Sequence, residues 1–310
     1  MATGIETEKE LIIRAAWYYY IQKKTQKDIA EKLNISRMRV LRLLEKAEQE
    51  GVIQIKIKNK HSDRLEIEQQ LIQKTGLKDA FVIPNPESQD PNQFTDTLAH
   101  AGALYIDEYF ADNPVINVGY GDTTGRVMNH FAQMSEKRPT YVSLTGGVSI
   151  YLLNTKASLS SANLYLIPAP FKASTKEMVQ AISSEAAVIE IAQMHKNAAC
   201  TIIGIGGMND DATVIKSGII PKTDFDFLKI RGAVGDVLAH FFDKDGTPII
   251  TTAEEHLISY SLEKLEGLNN VIAIAGGKKK YEAIRAAVKA RYCNILITNE
   301  STADWLIHSI

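Results

Sequence analysis

The sequence predicts an α/β protein in two parts: a small N-terminal helix-turn-helix head and a C-terminal Rossmann-like α/β effector domain. Three observations predict it. Residues 25–53, TQKDIAEKLNISRMRVLRLLEKAEQEGVI, carry apolar residues at helical spacing on both sides of a tight corner. From Gln93 onward, short apolar strands alternate with amphipathic helices. Charge divides along the same line: residues 1–60 hold 13 Lys and Arg against 8 Asp and Glu, and the rest of the chain holds 22 against 29. A basic head on an acidic body implies an anionic partner for the head.

A first helix is expected over about 8–22, with Ile12, Ala15, Ala16 and Tyr19 inward and Trp17 and Tyr18–Tyr20 filling a small core. In the helix pair, Ile29, Ala30 and Leu33 make one apolar face, and Val40, Leu43, Leu44 and Ala47 the other. Asn34 tolerates left-handed backbone at the corner. Ser36 can cap the second helix, without a capping box because Arg39 stands where Glu would be needed. Arg37, Met38, Leu41 and Arg42 are left facing outward, as a recognition helix presents its first turns to a major groove. With Thr25, Gln26, Ser36 and Arg39 they form the candidate DNA-contact set. Arg can pair bidentately with guanine or grip phosphate. A merely solvated helix pair would share the spacing, but not the agreement of corner, cap, packing and basic charge.

Next, VIQIKIK (52–58) alternates as a strand, a wing that would hold Lys56, Lys58 and Lys60 near phosphate. Ser62–Gly76 reads as an amphipathic helix capped by Ser62, with Leu65, Leu71 and Ile72 apolar, serving as linker or dimer-forming element. Pro84, Pro86 and Pro91 mark an irregular stretch. The expected organisation is therefore a head over 1–60, a linker helix and connection over 61–92, and the effector domain over 93–310.

In the body, strands are expected at 115–119, 141–145, 164–168, 200–205, 271–275 and 294–298, with helices at 123–134, 175–195 and 280–290. Such alternation implies a mostly parallel sheet wrapped by helices, binding its ligand at the carboxyl ends of the strands. Glycines and hydroxyls gather there: VGYGDTTG (118–125), SLTGG (143–147), IGGM (205–208) and AGGK (275–278), with Lys280 just beyond. Glycine lets backbone N–H groups approach an anion, a helix N-terminus adds partial positive charge, and Lys completes what a phosphate needs. Steric demand alone can place Gly in one strand-to-helix turn; recurrence at several strand ends favours a ligand. Absence of G-x-G-x-x-G with a following acidic residue argues against dinucleotide binding, and absence of G-x-x-x-x-G-K-[ST] removes a P-loop site. Asp236, after glycines and at the expected start of a helix, can accept from ligand hydroxyls or merely complement a helix dipole. His100, His195 and His240 fall in helical patterns, and no Ser/His/Asp arrangement or metal cluster emerges. No catalytic residue, metal or cofactor is expected.

No run approaches the ~18 apolar residues that cross a membrane, the polar start is unlike a signal peptide, and Cys200 and Cys293 are isolated. A cytoplasmic protein with no membrane partner is expected.

TQKDIAEKLNISRMRVLRLL in the head, then GYGDTTG, SLTGG, IPAP, GIGGM, RGAVGD, FFDKDG and AGGKKKYEAI in the body, resemble in order and spacing the SorC family of bacterial transcriptional regulators over nearly the whole chain. DDATVIKSGII beside RGAVGD looks most like the branch that senses phosphorylated autoinducer-2. The resemblance implies a body folded like sugar-phosphate isomerases and deaminases but without catalysis, a phosphorylated sugar as effector, operator DNA as partner, repression relieved by ligand, and a tetramer or dimer. It also implies a phosphate cradle at Gly121, Thr123, Thr124, Gly146, Gly147 and Lys280. The ligand's hydroxyl side would meet Thr145, Pro168, Ala169, Gly207, Met208, Thr213, Asp236 and Phe242. Two positions depart from the family. Leu41 stands where Ser is frequent in the recognition helix, and Asp122 puts a carboxylate inside the phosphate loop. The alternative is a sugar-phosphate isomerase or deaminase with an appended head, which would need a general base and a partner acid; Asp236 alone is placed for it.

Overall fold

The computed structural model describes residues 8–53, 62–86, 90–149, 151 and 162–310. They form two compact units that part between Ser62 and Asp63. The wing expected over 52–58 and the side-chain cap expected at Ser62 lie outside the described residues, Val52 and Ile53 excepted.

In the head, α1 (Glu8–Ala16) runs into a π-helical turn at Trp17–Ile21, followed by α2 (Gln26–Leu33) and α3 (Arg37–Gln49). Ile12, Ala15, Ala16, Ile29, Ala30, Val40, Leu43, Leu44 and Ala47 close a core of their own, as their spacing predicts. The widened turn rotates the aromatic run, so two expectations fail. Trp17 is 55 % exposed and Tyr19 also faces out, while Tyr18 and Tyr20 pack against the core.

In the body, seven strands form a sheet ordered β1-β10-β9-β5-β2-β3-β4, every pairing parallel. They are β1 (Asp79–Ile83), β2 (Val115–Val118), β3 (Thr140–Ser143), β4 (Asn163–Tyr165), β5 (Cys200–Gly204), β9 (Val271–Ile274) and β10 (Ile295–Asn299). A smaller antiparallel sheet joins β6 (Gly206–Gly207), β7 (Gly235–Val237) and β8 (His240–Phe242). The helices include α4 (Ser62–Thr75), α5 (Pro91–Tyr109), α6 (Asp122–Met134), α7 (Lys176–Ser183), α8 (Ala186–Met194), α9 (Lys222–Ile230), α10 (Tyr281–Lys289) and α11 (Glu300–Ser309). The single helix expected over 175–195 breaks at Ser184–Glu185. Central strands β9 and β10 are buried throughout, β9 as VIAI and β10 as ILI followed by Thr298 and Asn299, because helices cover both faces.

The segment expected as a linker packs into the body. Leu71 of α4 is fully buried in its core, with Ile67 and Ile72 against it, whereas Leu65 is 56 % exposed. Lys74 donates from Nζ to the Ile307 carbonyl at 2.7 Å. Glu68 Oε1 accepts the Val82 N–H at 2.7 Å, satisfying a donor on the free side of edge strand β1. β1 escaped the sequence reading because its partner β10 lies more than 200 residues away.

Replacing Leu71 with Ala should lower the unfolding free energy of the body by about 2–5 kcal/mol, the cost of a cavity at a fully buried leucine. Urea denaturation followed by circular dichroism measures it; an unchanged midpoint would place α4 outside the core.

Candidate effector cavity and nucleic-acid interface

The head's corner is built as its residues require. Asn34 sits at φ 51° and ψ 45°, left-handed, with its N–H donating to the Ala30 and Glu31 carbonyls. Ser36 Oγ accepts the Arg39 N–H at 3.2 Å and so caps α3. Thr25 and Asp28 form a capping box on α2 that the sequence reading overlooked, although T-x-x-D is its signature: Asp28 N–H donates to Thr25 Oγ1, and Thr25 N–H to Asp28 Oδ2, each at 3.2 Å. Arg37, Met38, Arg39, Leu41 and Arg42 are all exposed along α3. Arg37 Nε donates to Gln26 Oε1 at 3.4 Å, joining the starts of the two helices. Lys23, Lys24 and Lys27 line the same recess as Thr25, Gln26 and Arg37. The lysine-rich run QKKTQK around Thr25 signals that basic rim.

In the body, β3 and β4 lie on one side of β2, and β5, β9 and β10 on the other. Winding therefore reverses between β2 and β5, and a crevice opens beyond their carboxyl ends. A cavity of about 540 Å³ occupies it, lined by the loops leaving β2, β5 and β9. Gly121, at the N-cap of α6, has φ 133°, a conformation that suits glycine, and brings no side chain to cap the helix. Thr124 donates from Oγ1 to the Gly119 carbonyl at 2.9 Å, holding the loop closed. Opposite stand Gly206, Gly207, Gly276, Gly277 and Lys280. A Cβ on Gly206 would lie 1.9 Å from Asp236 Oδ1, so only glycine admits that carboxylate.

Residues 59–308 match the family described as "Putative sugar-binding domain", and residues 6–49 match "Sigma-70, region 4". The chain belongs to the SorC family of transcriptional regulators. It is 33 % identical to the transcriptional regulator LsrR of Enterobacter sp. (strain 638) over 301 residues, 96 % of this chain and 92 % of that one. It is 32 % identical to LsrR of Escherichia coli (strain K12) over 307 residues, 97 % and 96 % of the two chains. The crystal structure of the full-length sorbitol operon regulator SorC from Klebsiella pneumoniae superposes with a TM-score of 0.68 at 26 % identity, covering 97 % of this chain and 99 % of that one. This SorC-family member is thus a DNA-binding transcriptional regulator with a sugar-binding domain.

Of the effector residues implied by the SorC resemblance, Gly121, Thr123, Thr124, Gly207, Thr213, Asp236 and Lys280 line the cavity together. Seven others do not line it. Thr145 is buried, 2.8 Å from the Tyr151 hydroxyl, and Gly147 donates to the Ala169 carbonyl at 2.8 Å. Gly146 packs on Pro170 and Ala169, so these residues brace the end of β3; Pro168 beside them is exposed. Met208 packs on the core. Phe242 is fully buried against Tyr292, its ring centre 5.4 Å away. Tyr120, Arg126, Leu238 and Asn209 line the cavity without having been singled out; Arg126 lies one helical turn past Asp122, a spacing that could have revealed it.

Asp236 lies on β7, not at a helix start, and His240 on β8, not in a helix. Asp236 Oδ2 accepts from the Tyr120 hydroxyl at 2.9 Å and the Ala239 N–H at 3.2 Å. The second bond holds the β7–β8 turn, where Leu238 and Ala239 both have positive φ. Burial pushes the Asp236 carboxyl above its ordinary pKa, against its hydrogen bonds and the Lys280 charge. Burial likewise pushes Lys280 below its ordinary value, against the Asp236 and Asp122 charges. Asp122, which lines the same cavity, is paired with Arg126, whose Nε donates to its Oδ2 at 3.0 Å.

A carboxyl whose folded pKa is raised contributes stability that is complete below its unfolded pKa, near 4, and declines as pH climbs toward the folded one. Asp236→Asn should therefore flatten the fall of unfolding free energy on the neutral side of pH 4, measured by urea titration across pH. An identical slope in both proteins would deny Asp236 a raised pKa.

Proposed function

We propose that this SorC-family regulator controls a carbohydrate-uptake or catabolic operon as a cytoplasmic repressor, released when a phosphorylated sugar or related metabolite occupies the body cavity. The observation that carries this reading is that the N-terminus of α6, where Gly121 brings no capping side chain, lines one cavity with Lys280. Unpaired helix N–H groups, a partial positive dipole and an ammonium group together favour a phosphoryl dianion. Asp236 and Asn209 supply acceptor and donor for the hydroxyl end. Similarity to the sorbitol operon regulator SorC from Klebsiella pneumoniae points the same way. We read the chain as working by binding and not by turnover; the hydrogen bonds that hold Asp236 to Tyr120 and Ala239, and the pairing of Asp122 with Arg126 and of Asp211 with Lys279, support that reading.

The effector acts through differential affinity for one arrangement of a tetramer or dimer, which shifts the heads relative to operator half-sites. In fluorescence anisotropy with an operator duplex at fixed salt, Arg37→Ala or Arg42→Ala should weaken specific binding by about tenfold or more. Lys280→Ala and Thr124→Ala should bind the operator as the parent does yet resist release by sugar phosphate. Release of both cavity variants at the parent's effector concentration would refute the cradle, and unchanged affinity of both arginine variants would remove them from the interface.

A further inference from the structure

Arg126 lines the cavity beside Thr123 and Thr124, and its present bonds are uneven. Nε donates to Asp122 Oδ2 at 3.0 Å, but Nη1 lies 3.3 Å from the Asn92 carbonyl and 3.5 Å from Asp96 Oδ1, and Nη2 lies 3.5 Å from Asn92 Oδ1. Asp96 also takes His130 Nε2 at 3.0 Å. The terminal guanidinium nitrogens thus sit at the long limit of hydrogen bonding, and one well-made bond ties the group to Asp122. That carboxylate side chain is 47 % exposed, so water can take over its hydrogen bonds at small cost. It also acts on the charge of Lys280 across the cavity. Two cations are therefore influenced by one half-exposed carboxylate at the start of α6.

We propose that Arg126 is a second cationic contact for the ligand's phosphoryl group, and that Asp122 is its resident counter-ion, displaced when the dianion arrives. A planar guanidinium can meet two phosphoryl oxygens at once, which the Lys280 ammonium cannot. A ligand with one negative charge gains little by evicting a carboxylate of equal charge, whereas a dianion gains attraction to both cations. Asp122 thereby lowers affinity for every anion while sharpening the preference for a dianion over a monoanion. The inference rests on the reading that the cavity takes a phosphorylated effector.

The test is isothermal titration of the full chain with inorganic phosphate at pH 8, where the dianion predominates, at fixed ionic strength. Asp122→Asn should tighten binding several-fold, Arg126→Gln should weaken it by about tenfold, the worth of one charge-assisted hydrogen bond, and the double variant should lose the Asp122→Asn gain. Arg126→Lys, which keeps charge without the fork and serves if the Gln variant does not fold, should bind with intermediate affinity. Parent-like binding by Arg126→Gln, or by Arg126→Lys in its place, alongside weakened binding by Lys280→Gln would overturn the proposal and leave the cradle standing. Weaker binding by Asp122→Asn would overturn the counter-ion role. If the parent binds no phosphate at all, the cradle and the proposal fall together.

Discussion

Beyond the carboxyl ends of β2 and β5 the chain leaves in opposite directions, toward β3 on one side and toward β9 on the other. Parallel strands must be joined by crossovers, and crossovers that diverge cannot fill the space between them. The crevice is thus a consequence of strand order. Most of what the body contributes to recognition lies on its rim: the start of α6 after β2, the glycine pair after β5 and the Gly276–Lys280 turn after β9. An anion site needs backbone N–H groups left unpaired by secondary structure, and a sheet with this winding supplies them at one place.

Asp236 gives that crevice its floor. Its carboxylate reaches across to Tyr120 on the β2 side and back to Ala239 in its own hairpin, and it fits only because Gly206 carries no side chain. Leu238, in left-handed backbone at the hairpin turn, packs under Gly119, where a Cβ would lie 2.8 Å from its Cδ2. Strain in the turn, burial of a carboxyl and loss of two side chains all meet at the cavity, and the surrounding core holds them in place. Cost concentrated at one site, within a body built on a largely apolar core, is characteristic of a site selected for recognition.

Local pattern made much of this legible. The helix pair of the head could be read to its corner residue, because Asn34 and Ser36 act through their own backbone neighbourhood. Six of the seven sheet strands could be read from apolar runs, but β1 and the small β6-β7-β8 sheet could not. β1 is defined by pairing with β10 at the far end of the chain, and β6 is two glycines without a side-chain pattern. The same limit explains the site. Residues in strand-end loops, such as Gly121, Thr124 and Lys280, reach the cavity because their loops do. Phe242 and Thr145 sit in motifs equally distinctive in sequence, yet strand alternation turns Phe242 into the core and the packing of 145–147 on 168–170 closes off Thr145. Motif order identifies the family; the direction of each side chain is settled by tertiary pairing.

The central claim is that the crevice reads a phosphoryl group. It is tested most directly by thermal unfolding of the full chain with a panel of sugar phosphates, each matched with its unphosphorylated sugar. Mass action requires the true ligand to raise the midpoint with concentration. A concentration-dependent rise with a phosphorylated member and none with its free sugar is the predicted result. Equal stabilisation by the two forms would contradict the account.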